Sequence, residues 1–358
     1  MLGGLPKLFD KNFVIGFLLP VALAVFAFAW LFPQFGFLQP LRKPGVEEKL
    51  LGELTYLLLL TYGLALILMM ANTFLHRLLG GYVAPVSGFS GWRLKENERR
   101  AVLIAELDRL GTRRKAEGGD FPAEDKARVK QVLRELAQQF APAPAEVRPT
   151  RFGNVLDSFQ SYPSQLYGAS APAVWLRLIS VIPKEFRSEL DDSRSQVNCV
   201  LNLFFIVPVV AAAAAAKVLF ATPWAKVAAA AADRDFGGLE PDYPVLIALA
   251  ALLLMPALYR SAVDRAAAWG GMVKAAFDCF LPKLAGQMGY ADAASGEARS
   301  RFWKEFSAFA VYRQAMDPGA YRLAGAKEPP APPPAAKPRL LPPLLEVAPA
   351  PPPASGGD

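Results

Sequence analysis

His76 is the single histidine in 358 residues, so any Ser-His-Asp or Cys-His mechanism would have to run through that one side chain. It closes a long apolar run and is followed by Arg77, the setting of a residue at a membrane interface rather than of a general base. The two cysteines, Cys199 and Cys279, have no CxxC spacing and no histidine cluster beside them. They suggest neither a zinc site nor a disulfide framework, and both are expected to stay reduced. No GxxxxGK[ST] loop occurs, and the pairs Gly80-Gly81 and Gly270-Gly271 lack the lysine and hydroxyl that would hold a phosphate. Asp191-Asp192 and Glu47-Glu48 are acidic pairs, but neighbours on a helix diverge by about 100° and cannot converge on one ion. Arg113-Arg114-Lys115 has no interleaved aromatic residue for base stacking and reads as a solvated helix end. The expectation is a non-enzymatic chain with no metal, no cofactor and no specific nucleic-acid partner.

Polar residues inside apolar runs need an explanation of a different kind. Asn72 and Thr73 sit near the end of one such run, and Asn198 and Asn202 near the start of another. Asn198 and Asn202 are four apart and so share one helical face. Hydrogen bonding between helices is the first reading of this polar face, and the lining of a permeation path is the alternative.

The elements that would position these residues are membrane helices. Hydrophobic residues make up 53% of the chain, and a hydrocarbon core of about 30 Å needs about 20 apolar helical residues. Phe13 to Phe32, Leu54 to Leu75 and Val197 to Ala216 reach that length. Val245 to Tyr259 is shorter and must borrow flanking residues. The first run resembles a signal peptide, but Leu31-Phe32-Pro33-Gln34 is not a small-residue cleavage site, so a retained anchor is expected. Pro20, Pro208 and Pro256 fall inside spans, where neighbouring helices can satisfy the carbonyls they free; they predict kinks rather than ends.

The net charge of +7 resolves into an orientation signal. Of 39 Lys and Arg residues, 19 lie between the second and third spans and 12 follow the fourth. The basic segments belong on the cytoplasmic side, which places both termini and the middle region there, with the loops at about 33–53 and 217–244 outside. The expected location is the bacterial inner membrane, with the bilayer itself as the first partner.

Five regions follow: a helix pair over 1–79, a helical region over 80–196, a second helix pair over 197–259, a helical extension over 260–324 and a tail over 325–358. Leu94 to Lys115 and Pro122 to Phe140 carry helical periodicity and form a hairpin turning at Gly118-Gly119-Asp120. After a Pro/Ala linker, helices are expected at Arg151 to Gln165 and Ala173 to Ile182. Pro183 should then open one long helix into the third span, as its first residue. The fourth span continues past Tyr259 as a charged, Ala-rich helix. The tail, rich in Pro and Ala, cannot bury a core and is expected to be disordered. The fold class is therefore an all-α membrane protein of about four spans.

Two stretches carry a resemblance. Asn72-Thr73-Phe74-Leu75-His76-Arg77 running on to Gly80-Gly81-Tyr82, and Pro149-Thr150-Arg151-Phe152-Gly153-Asn154-Val155-Leu156, are similar to motifs of a group of bacterial multi-pass membrane proteins with no known activity. Tyr167-Gly168, Trp175-Leu176-Arg177-Leu178, Ala275-Ala276-Phe277-Asp278 and Phe302-Trp303-Lys304-Glu305-Phe306 extend the likeness over about 70–312. That group often carries glutamates near the two motifs, where this chain has Gly80 and Phe159-Gln160-Ser161. The resemblance implies a membrane fold with a helical cytoplasmic part. It selects Asn72, Arg77, Tyr82, Arg151, Gly153, Asn154, Tyr167, Trp175 and Arg177 as a cluster for interaction or packing. The expected function is an interaction, scaffold or sensing module that works through a protein partner or self-association. An oligomeric ion channel or membrane-perturbing effector is the alternative, and a lipid-acting enzyme is less favoured.

Overall fold

The structure, a computed structural model, describes residues 10–32, 47–116, 122–142, 146–221, 243–290, 295–314 and 316. Among the described residues the regular elements are all helical. In chain order they are α1 (Lys11–Leu31), α2 (Glu47–Leu79), α3 (Ser90–Ala116), α4 (Ala123–Gln139), α5 (Arg151–Gln160), α6 (Tyr162–Leu166), α7 (Ala171–Val181), α8 (Lys184–Ala221), α9 (Tyr243–Gln287) and α10 (Gly296–Tyr312). A π-helical turn, Val14–Leu18, interrupts α1.

Segments of α1, α2, α8 and α9 are long and apolar enough to cross a membrane. Their outer faces agree with that reading: Met70 is 81% exposed and Leu253 79%, values a water-facing helix of this length would not sustain across whole faces. The span of α9, bounded only weakly by sequence, belongs to a helix of 45 residues. Pro208 and Pro256 lie within α8 and α9, which continue through them.

The main core lies beyond the spans, where the polar halves of α8 and α9 pack together and hold α5, α7 and α10. Phe152, Val155, Leu178, Phe277, Leu281 and Trp303 are buried together there. A smaller core of Leu103, Val132, Phe140 and Val147 joins α3 to α4, matching the expected hairpin. Its turn at 118–120 lies outside the described residues, as do the tail and most of the two loops expected outside the membrane.

Three local expectations change. The helix expected over Arg151 to Gln165 is two helices broken at Ser161, because Pro163 has no N–H to give to the Phe159 carbonyl one turn back. Pro183 is not the first helical residue: its carbonyl accepts from Arg187 N at 3.0 Å, which makes it the cap of α8. Pro122 likewise caps α4, with its carbonyl bonded to Lys126 N at 3.0 Å.

Candidate functional site at the polar ends of the spans

Two polar clusters sit where the spans meet the helices beyond them. The first is a knot between α1, α2 and α8. Asn72 donates Nδ2–H to Asn198 Oδ1 at 3.2 Å, and His76, with its proton on Nε2, donates to the same oxygen at 2.9 Å. One turn deeper, Asn202 donates to the Gly16 carbonyl at 2.8 Å. Ser195 reaches Asn12 Oδ1 at 2.8 Å, and at the end of the row Lys11 pairs with Asp192 at 2.6 Å. Asn72, Asn198 and Asn202 are all buried. The face formed by Asn198 and Asn202 is therefore turned onto neighbouring helices and held in bonds within the chain.

The second cluster is a joint that seats α5 beneath α2. Thr150 caps α5, its side chain accepting from Gly153 N at 3.0 Å, the N-cap geometry that satisfies an otherwise orphan amide. Arg151 N donates to the Tyr259 hydroxyl at 3.1 Å, which fixes the helix start against α9. Gly153 is there because nothing larger fits: a Cβ at that position would lie 2.0 Å from the Gly80 carbonyl oxygen. Gly81, at φ +72°, turns the chain out of α2, and a Cβ there would meet Pro149. The two stretches that carry the family resemblance thus pack directly on one another.

Side chains complete the joint. Asp157 receives the Tyr82 hydroxyl at 2.6 Å and Arg148 Nε at 2.7 Å, while the Arg148 guanidinium lies over the Tyr82 ring, 4.6 Å from its centroid. Burial, then the hydrogen bond to Asp157, pushes the Tyr82 phenol well above its ordinary acidity range. Asn154 holds the Arg148 main chain from both sides, accepting from its N–H at 2.7 Å and donating to its carbonyl at 3.2 Å.

Glu96, buried on α3, accepts from Asn154 at 3.3 Å and from Arg151 at 3.3 Å, and lies 3.5 Å from Arg99. Arg99 continues to Glu135 at 2.5 Å and to Gln139. One carboxylate therefore ties the α3–α4 hairpin to the start of α5.

The nine residues selected as one cluster are divided in the structure. Tyr82, Arg151, Gly153 and Asn154 meet in the joint, whereas Asn72 belongs to the knot. The Arg77 side chain is exposed at the end of α2. Tyr167 lies apart, its hydroxyl on Asp278 at 2.7 Å beside that of Tyr162 at 2.8 Å. The Trp175 ring lies tilted against Phe277 of α9, 5.8 Å between centroids. Arg177 bonds the Ala173 carbonyl at 2.6 Å and lies over Phe306 of α10.

Glu96, Arg148, Asp157 and Tyr259 lie outside the cluster selected from the sequence, and Asp278 enters there only as the end of the Ala275–Asp278 stretch. Asp157 is three residues from Asn154, on the same helical face, which is a usable signal. Glu96 is one charge among many on an amphipathic helix, and no spacing distinguishes it. Among the described residues no group of three or more His, Cys, Asp or Glu side chains is arranged to hold a metal ion. Chemically the two clusters can position and couple helices.

No family model, curated protein or solved structure matches the chain.

Proposed function

We propose that this protein is a membrane-anchored interaction and sensing module, resident in a bacterial inner membrane with both termini and its polar helices on the cytoplasmic side. The observation that supports this reading most strongly is the continuity of α8 and α9. Each runs without a break from an apolar span into the polar core, and the α3–α4 hairpin is fastened to that core through Glu96. A load on the hairpin would pass through Glu96 to α5, and from Thr150, Arg151 and Gly153 to α2 and α9. The hairpin also offers something to bind: Val102 is 65% exposed and Leu133 47%, and Leu94 and Ile104 of α3 are exposed as well. Basic residues clustered on this side of the spans support the orientation.

Affinity purification of the full chain in mild detergent tests the proposal. A co-purifying protein or a self-assembled species is expected, weakened by Val102→Lys or Leu133→Lys. Recovery of a bare monomer alone, under gentle extraction, would count decisively against it. An ion channel would have to be built between copies of the chain, because Asn198 and Asn202 are bonded inside one copy. Ion flux in reconstituted liposomes separates that reading from the one proposed.

A further inference from the structure

A pocket of about 530 Å³ opens where α2, α3, α5, α8 and α9 come together. Leu78, Phe204, Phe205 and Tyr259 form its side toward the spans, and Lys95, Glu96 and Arg151 its polar end. Phe205 is also a wall of a second, open cleft, of about 760 Å³, lined by apolar residues of α1, α2 and α8. On α2, Leu75 lines that cleft and Leu78 lines the pocket, one helical turn apart. An apolar surface thus leads from the depth of the spans to a charged end at their boundary.

The charges at that end favour an anion. Glu96 is already engaged by Asn154, Arg151 and Arg99, so among the described residues lining the pocket the Lys95 ammonium is the cation with no acidic partner. Arg151 is half exposed despite its contact with Glu96. Pro149, Thr150 and Arg151 also line the pocket, so the N-terminal, positive end of α5 faces it. Trp92 lines the pocket and is 50% exposed, with the Phe89 ring 4.8 Å away. Exposed tryptophans are enriched at headgroup level in bilayers.

We propose that this pocket binds the headgroup of an anionic phospholipid, whose acyl chains lie in the apolar cleft between α1, α2 and α8. Basic pockets between spanning helices recognise anionic headgroups, and an apolar cleft continuous with the bilayer selects a lipid over a free anion. A lipid held there would touch the span α2, the hairpin helix α3 and the start of α5 at once. The site stands whether or not the hairpin recruits a partner.

The full chain in mild detergent, studied by native mass spectrometry and thermal unfolding, tests this with phosphatidylglycerol, phosphatidylcholine and inorganic phosphate as probes. Phosphatidylglycerol should be retained and should raise the unfolding temperature, with phosphatidylcholine retained less and phosphate neither stabilising nor competing. Lys95→Gln should weaken phosphatidylglycerol retention about fivefold, the worth of one basic residue near an anionic headgroup. Its unfolding temperature without lipid should stay unchanged. Trp92→Ala should weaken retention as well, and Lys283→Gln, remote on α9, should not. Equal retention of the two lipids, wild-type retention by both Lys95→Gln and Trp92→Ala, competition by phosphate, or a second copy of the chain filling the cleft would each overturn the proposal.

Discussion

Asn202 gives its side-chain N–H to the carbonyl of Gly16 across the α1–α8 contact, beside the point where α1 loses a backbone donor. In α-helical geometry the Gly16 carbonyl faces the amide of residue 20, and residue 20 is a proline. Gly16 itself lies in the π turn Val14–Leu18, which ends two residues before Pro20. The side chain of one span thus serves a carbonyl that the sequence of another leaves without its usual donor. Gly16 packs against α8, where a Cβ would meet Asn198 Cβ at 3.4 Å, an ordinary van der Waals contact.

Asn202→Leu should therefore lower the unfolding free energy by about 1 kcal/mol, the scale of hydrogen bonds between membrane helices. In a Pro20→Ala background, which restores an amide at residue 20, the same substitution should cost less. Chemical unfolding of the four chains in detergent gives the coupling as a double-mutant cycle. Additive effects would remove the link between Asn202 and Pro20.

Gly153→Ala should be among the most damaging single methyl additions in the chain. The new Cβ meets the Gly80 carbonyl at 2.0 Å, a main-chain atom at the end of α2 that cannot rotate away. A loss of about 3 kcal/mol, the upper range of core overpacking, is expected. Gly271→Ala provides the contrast, since nothing lies within 4 Å of its Cβ position and α9 should gain about 0.5–1 kcal/mol. Thermal unfolding of the two variants should move in opposite directions.

Glu96→Gln tests whether one carboxylate fastens the hairpin. The substitution keeps the shape but removes the charge that Arg99 and Arg151 face. About 2 kcal/mol of local stability should be lost, the scale of a hydrogen bond to a charged group. Amide exchange should quicken in α3 and α4 while the buried turns of α8 and α9 stay protected. Uniformly faster exchange would show that Glu96 supports the whole fold instead.

The tyrosines near Asp278 predict an alkaline transition. Burial, then the hydrogen bond to Asp278, raises the Tyr162 phenol to about 12, and the same causes in the same order push Tyr167 upward. Both are neutral donors in the fold and ionise earlier when it opens, so their stabilisation is complete below about 10, the ordinary tyrosine value. The share of Tyr162 is lost as pH climbs through about 12, and that of Tyr167 at still higher pH. Spectrophotometric titration should show late-ionising tyrosinate, and Asp278→Asn should bring part of it to lower pH.

Spans and hairpin were legible in the sequence because length, hydropathy and helical period are local properties. The turn of Asn198 and Asn202 toward α1 and α2 was half legible: their spacing showed a shared face, but not what it meets. The joint was legible as two motifs and illegible as one object, since Gly80 and Gly153 are separated by the whole α3–α4 hairpin. Glu96 was hidden for a related reason. A buried acidic residue and a solvated one look alike until the helices around them are packed.

Cys279 and Cys199 offer the test of orientation. Cys279 is exposed on the polar half of α9, while Cys199 is half-buried on α8 beside Asn198. If the polar helices are cytoplasmic, a membrane-impermeant maleimide should leave Cys279 unlabelled in right-side-out vesicles and label it in inverted ones. Cys199, packed among α8 neighbours, should react slowly in both, so a Cys279→Ser chain should remain nearly unlabelled in either preparation. Rapid labelling of Cys279 from the outer side would reverse the assigned topology. The basic residues would then have to be explained by something other than the bilayer's charge asymmetry.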